Sequence, residues 1–174
     1  MEHSKVDTGT QWETGDTANA SPSQSIVKVK ELSLEVETKL VMLANKMLHA
    51  SYWFLLLGVT FTGLDLAGLA RAARVREAAA REGASSILCL VKEEGGATRL
   101  VDIARPDTTD EEMGAEQAVR TMASLDSWLE QGVLEAVLGF GRSGIGEGLR
   151  KVLDKCRELR WESQGMREQV GSAE

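Results

Sequence analysis

Proline, cysteine, histidine and aromatic residues are all scarce in this chain of 174 residues. Two prolines leave long stretches free of helix breakers. The two cysteines, Cys89 and Cys156, form neither a CxxC pair nor a zinc-ligand set, so both are expected as buried, reduced thiols. The two histidines are His3, near the start, and His49, inside an apolar stretch. That supply is too thin for a zinc site, and a serine nucleophile would find no base beside it. With an aromatic share of 5%, a core must be built from Leu, Val, Ala and Met. No long basic run occurs and the net charge is −7, so generic nucleic-acid binding is not expected. The first residues lack the basic start and apolar stretch of a signal peptide. An intracellular, cytoplasmic setting is therefore expected.

What is present reads as one mainly helical domain. Residues 1–25 are rich in Ser, Thr, Asp, Glu and Gly and offer almost nothing to bury, so a disordered N-terminal tail is expected. Residues 163–174 look similarly loose, leaving 26–162 as the folded domain. Val29, Leu32, Val36, Leu40, Leu43 and Met47 recur at spacings of three and four, which predicts a helix over about 28–50, although 26–36 also alternates like a strand. Thr62 and Asp65 resemble a capping box opening an Ala-rich helix that would close at Gly83. Within it, Gly68, Ala72, Val75 and Ala79 form a strip of small side chains suited to close packing. Residues 86–92 and 98–104, two apolar runs around Gly95-Gly96, predict a β-hairpin over 86–104. Thr109 and Glu112 suggest a second capping box, followed by the stripe Ala118, Met122, Leu125, Leu129. A last helix runs from near Ser143 to Trp161, with Ile145, Leu149, Val152, Cys156 and Leu159 on a heptad seam. The expected fold is thus a bundle of about four helices with one hairpin, an α+β arrangement.

The most distinctive segment is Met47–Leu64, eighteen residues without Asp, Glu, Lys or Arg. It reads as a central buried helix, as a partner-binding surface presenting Trp53, Phe54, Leu57 and Phe61, or as a membrane span at the lower limit of length. Arg71, Arg74 and Arg81 project from neighbouring angles on the next helix and could grip phosphates or carboxylates. The acidic stretch around Asp107, Asp110, Glu111, Glu112 and Glu116 is another partner for them. Gly139, Gly141 and Gly144 spell GxGxxG, but no second parallel strand can follow, so an interhelical joint is expected in place of a dinucleotide site. Ser143, in GRSGIG, reads as a helix N-cap.

No catalytic residue, cofactor or metal site emerges. The sequence points to a small acidic, non-enzymatic interaction or regulatory (accessory) protein. Self-association would run through the seam of Ile145, Leu149, Val152 and Leu159. The alternative is a membrane-associated protein anchored by 47–64; an enzyme with an unrecognised site ranks third.

Overall fold

The computed structural model describes residues 32–100, 102, 103, 106 and 113–171. It contains four helices: α1 (Leu34–Gly63), α2 (Ala67–Glu93), α3 (Ala115–Phe140) and α4 (Gly144–Gly171).

Helix α1 begins where Ser33, in extended conformation, accepts the Val36 N–H on its hydroxyl, and Glu35 and Glu37 face the positive end of the dipole. It then runs unbroken through both the helix expected at 28–50 and the apolar segment. Leu40, Leu43, Met47, Ala50, Phe54, Leu57 and Phe61 repeat at three and four and are all buried. Its most apolar 18-residue window has a mean hydropathy of 1.3, enough by length and composition to cross a membrane, and 56% of that window is buried inside the bundle.

The capping box expected at Thr62 is absent. Thr62 lies in the last turn of α1, its hydroxyl donating to the Gly58 carbonyl, and the chain turns at Asp65 with φ of 58°. Helix α2 opens at Ala67 and passes straight through Gly83. There the missing side chain makes room for Met47, whose methyl would lie 2.3 Å from an added Cβ.

The expected β-hairpin is overturned. Among the described residues there is no strand, and residues 86–92 are the last turns of α2. Ala84, Ile87 and Val91 continue the buried stripe at helical spacing, and this outweighed the β-branched character of the run. The Gly-Gly pair is a helix stop. Gly95 takes φ of 83°, its N–H bonds the Lys92 carbonyl, and the Gly96 N–H bonds the Val91 carbonyl at 2.8 Å. Those two bonds are a Schellman cap. The strip Gly68, Ala72, Val75, Ala79 does not pack in the core; the buried small residues of α2 are Ala70, Ala73, Ala80, Gly83 and Ala84. Residues 109 and 112, where a second capping box was expected, lie outside the described residues, and α3 starts at Ala115 with Gly114 as its N-cap.

Between α3 and α4 the glycines of GxGxxG form a tight joint. Gly141 adopts φ of 57° at the end of α3, and Ser143 caps α4 by accepting the Gly146 N–H at 3.2 Å. The heptad seam of α4 is its inner face.

Side-chain meetings fix the direction of every helix. Met47 meets Gly83 while Gly58 meets Ala73, so α1 and α2 are antiparallel. Gly83 meets Val152 and Gly148 meets Leu90, so α2 and α4 are antiparallel too. Glu130 reaches Arg157 and Arg160, which sets α3 against α4. Helices α2 and α3 therefore point the same way. The end of α2 at Glu93 and the start of α3 at Ala115 accordingly lie at opposite ends of the bundle.

Candidate functional site

Two charged side chains occupy positions on the buried stripes. In α2, Arg76 falls between Ala73 and Ala80; in α3, Asp126 falls between Met122 and Leu129. Arg76 Nε donates to Asp126 Oδ2 at 2.9 Å, with both side chains almost fully buried. The rest of the guanidinium is also engaged. Nη1 donates to the Ala72 carbonyl at 3.1 Å, Nη2 donates to the Leu159 carbonyl of α4, and the Glu162 carboxylate stands 4.0 Å from Nη1. One residue thus joins three helices, and its charge faces the buried Asp126 and, at the edge, Glu162.

Cys156 lies on the same interior wall. Burial, reinforced by the negative charges of Asp126 and Glu130, pushes its thiol up to about 11. Cys89, expected to be buried, is exposed because it sits on the outer side of the α2 stripe. Glu130 bridges α3 to α4, and its carboxyl is held below the ordinary range chiefly by its hydrogen bond from Arg160.

The residues singled out in the sequence occupy three different settings. Phe54, Leu57 and Phe61 are in the core, packed by their own chain. Trp53 is half-buried on the α1/α3 side, its indole N–H donating to His49 Nε2 at 3.1 Å, while the His49 ring meets Trp128 edge-on. Arg71, Arg74 and Arg81 are exposed, and Arg81 pairs with Glu77 one turn earlier. Of their proposed acidic partners, Glu116 is paired with Arg120, and 107 and 110–112 lie outside the described residues. Ile145, Leu149, Val152 and Leu159 are buried in the core.

Sequence reasoning did not pair Arg76 with Asp126. A signal was available: each interrupts an otherwise apolar three-four stripe, and they carry opposite charges. Arg76 also lies on roughly the opposite side of α2 from the exposed arginines, about 140–160° away by helical geometry.

The four helices form one bundle in which α2 and α3 point the same way. No family model matches the sequence. Among curated proteins, the chain is similar to the ferritin light chain of Felis catus, 33% identical over 114 residues, which cover 64% of this chain and 65% of that protein. It is also 34% identical over 114 residues to ferritin light chain 1 of Rattus norvegicus, covering 64% and 62%. The chain thus spans just under two thirds of the length of these relatives.

Carboxylate-bridged di-iron four-helix bundles supply a Glu from each of two helices and a Glu-x-x-His from each of the others. The interior here does not fit that centre. No Glu-x-x-His occurs in the sequence. Among the described residues no three His, Cys, Asp or Glu side chains group to hold a metal. The inward positions carry Met47, Ala80, Gly83 and Cys156, and among the described residues the one buried carboxylate, Asp126, is committed to Arg76.

Proposed function

We propose that this chain is a structural subunit of the ferritin-light-chain kind: an iron-storage-type bundle that contributes shape and contact surface to a self-associated assembly, without a metal centre inside the bundle. The observation that carries the reading is the identity to ferritin light chains over 114 residues, joined to a fold of four helices in one bundle. The interior agrees with a non-catalytic role, because an ion pair and apolar side chains fill the places where carboxylate ligands would have to converge. A regulatory or accessory role finds no comparable support.

A surface for self-association is available on α1. Tyr52, Leu55 and Val59 are 48%, 46% and 64% exposed. They project within an arc of about 60° by helical geometry, on the side turned away from the core. Solvent-facing apolar side chains gathered this closely mark contact sites more often than scattered ones.

Light scattering on the purified full chain tests the reading. The expected result is a defined oligomer that Leu55→Glu with Val59→Glu converts to smaller species without lowering the melting temperature. Iron(II) added under air should oxidise no faster than in buffer. A chain that stays monomeric at every concentration, or one that oxidises iron(II) saturably, would overturn the proposal.

A further inference from the structure

On the outside of the bundle a groove of about 470 Å³ opens between α1 and α3. None of the residues that line it is buried: His49, Trp53, Thr121 and Leu125 are half-buried, and Ser124 and Trp128 are exposed. The space between them is open to solvent, and its accessible surface is mostly apolar. Its volume is in the range of small-molecule sites.

The aromatic rings along the groove are held in place by one another. The Trp53 indole N–H donates to His49 Nε2 at 3.1 Å, and the His49 ring meets Trp128 at 74° with centroids 6.4 Å apart. Helices α1 and α3 run antiparallel, since Leu43 lies beside Gly132 and His49 beside Trp128. This register puts Trp53 level with Ser124 and about 7 Å from Trp128 along the bundle, the length of two fused six-membered rings. Rings fixed in advance lose little freedom when a flat ligand stacks on them.

The charges around the groove select an occupant. No Asp or Glu lines it, and Arg120 on the rim is paired with Glu116. Lys46 is different. It is exposed, its ammonium stands 5.6 Å from the centre of the Trp128 ring, and it has no ion-pair partner among the described residues. An uncompensated positive charge therefore stands at the Trp128 end of an aromatic groove.

We infer that this groove binds a planar aromatic carboxylate of two fused rings. The rings lie along Trp53 and Trp128, and the carboxylate meets the Lys46 ammonium. Trp53 lies about 120–160° around α1 from Leu55 and Val59 by helical geometry, so a second copy seated on those residues leaves the groove open.

Calorimetric titration of the full chain, in its own oligomeric state, with naphthoate tests this, and tryptophan fluorescence supplies a second readout. Expected is saturable binding of one molecule per chain, accompanied by quenching. Lys46→Gln, at an exposed position, should weaken binding about fivefold, the scale of one exposed ion pair. Trp128→Leu should weaken it roughly tenfold, the scale of one stacked ring. Should Trp128→Leu unfold the chain, Ser124→Trp, which fills the groove from an exposed position, serves the same purpose. The saturated analogue decahydronaphthoate and the cation naphthylmethylammonium should both bind far more weakly. The inference fails if naphthoate gives neither saturable heat nor quenching. It fails equally if Lys46→Gln and the groove variants bind like the parent chain, which would move binding to the exposed apolar face of α1, or if the saturated or the cationic compound binds as well as naphthoate.

Discussion

Arg76 of α2 and Asp126 of α3 meet at 2.9 Å in the centre of the bundle, where neither side chain reaches water. Removing charge from water costs several kcal/mol per ion, so the pair is stabilising only while both members are present. Asp126→Ala strands the guanidinium and is expected to lower unfolding free energy by about 3–5 kcal/mol in urea titrations. The double variant Arg76→Met with Asp126→Leu should be neutral or even more stable, by up to about 4 kcal/mol. Equal losses in the single and double variants would contradict an interaction of this kind.

Two glycines inside helices should respond to alanine with opposite signs. At Gly132 of α3 an added Cβ meets only Leu43 Cδ1 at 3.6 Å, an ordinary contact. Gly132→Ala therefore gains helix propensity and should stabilise by about 0.5–1 kcal/mol. At Gly146 the added Cβ would lie 2.3 Å from the Gly141 carbonyl oxygen, a backbone atom within the turn between α3 and α4. Gly146→Ala must move that turn, and a loss of about 1–3 kcal/mol is expected. Thermal melts of the two variants read both effects.

The helical periods of α1, α3 and α4 were legible because each carries an apolar stripe at three-four spacing, and every seam residue of α4 from Ile145 to Leu159 is buried. Ser143 was legible as a cap for the same local reason. The end of α2 was misread because SILCLVK satisfies both a strand and a buried helical stripe. Only the neighbouring helices, by covering Ile87 and Val91, decide between them. Glycine was the second source of error. Gly83 and Gly95-Gly96 look alike in sequence, yet one makes room for Met47 in mid-helix and the other two cap the helix. The pairing of Arg76 with Asp126, fifty residues on, depends on how helices are arranged around the core, which periodicity does not encode.

The Schellman cap yields a direct check on the correction at residues 86–104. Gly95 holds φ of 83°, a region that costs a residue with a Cβ roughly 1–2 kcal/mol. Gly95→Ala should destabilise by about that amount and fray the last turn of α2, raising amide exchange at Val91 and Lys92. A hairpin turn at the same site would place cross-strand contacts between 86–92 and 98–104 in a nuclear Overhauser spectrum. Their presence would restore the strand reading.

Cys156 provides a pH-dependent readout of the interior. Its thiol is raised from 9.0 to about 11 in the folded chain, first by burial and then by Asp126 and Glu130. In the unfolded chain the thiol ionises at the lower value, so above pH 9.0 the unfolded state sheds its proton first. Protonated Cys156 thus contributes stability that is fully present below pH 9.0 and declines as pH rises toward 11. The decline amounts to about 2–3 kcal/mol at most, and Cys156→Ala should remove that part of the alkaline slope. A thiol reagent at neutral pH should modify the exposed Cys89 readily and Cys156 only on opening of the α2/α4 wall, so urea below the unfolding midpoint should accelerate the second reaction alone. Equal rates at the two thiols in the absence of urea would show that the wall between these helices does not shield the interior.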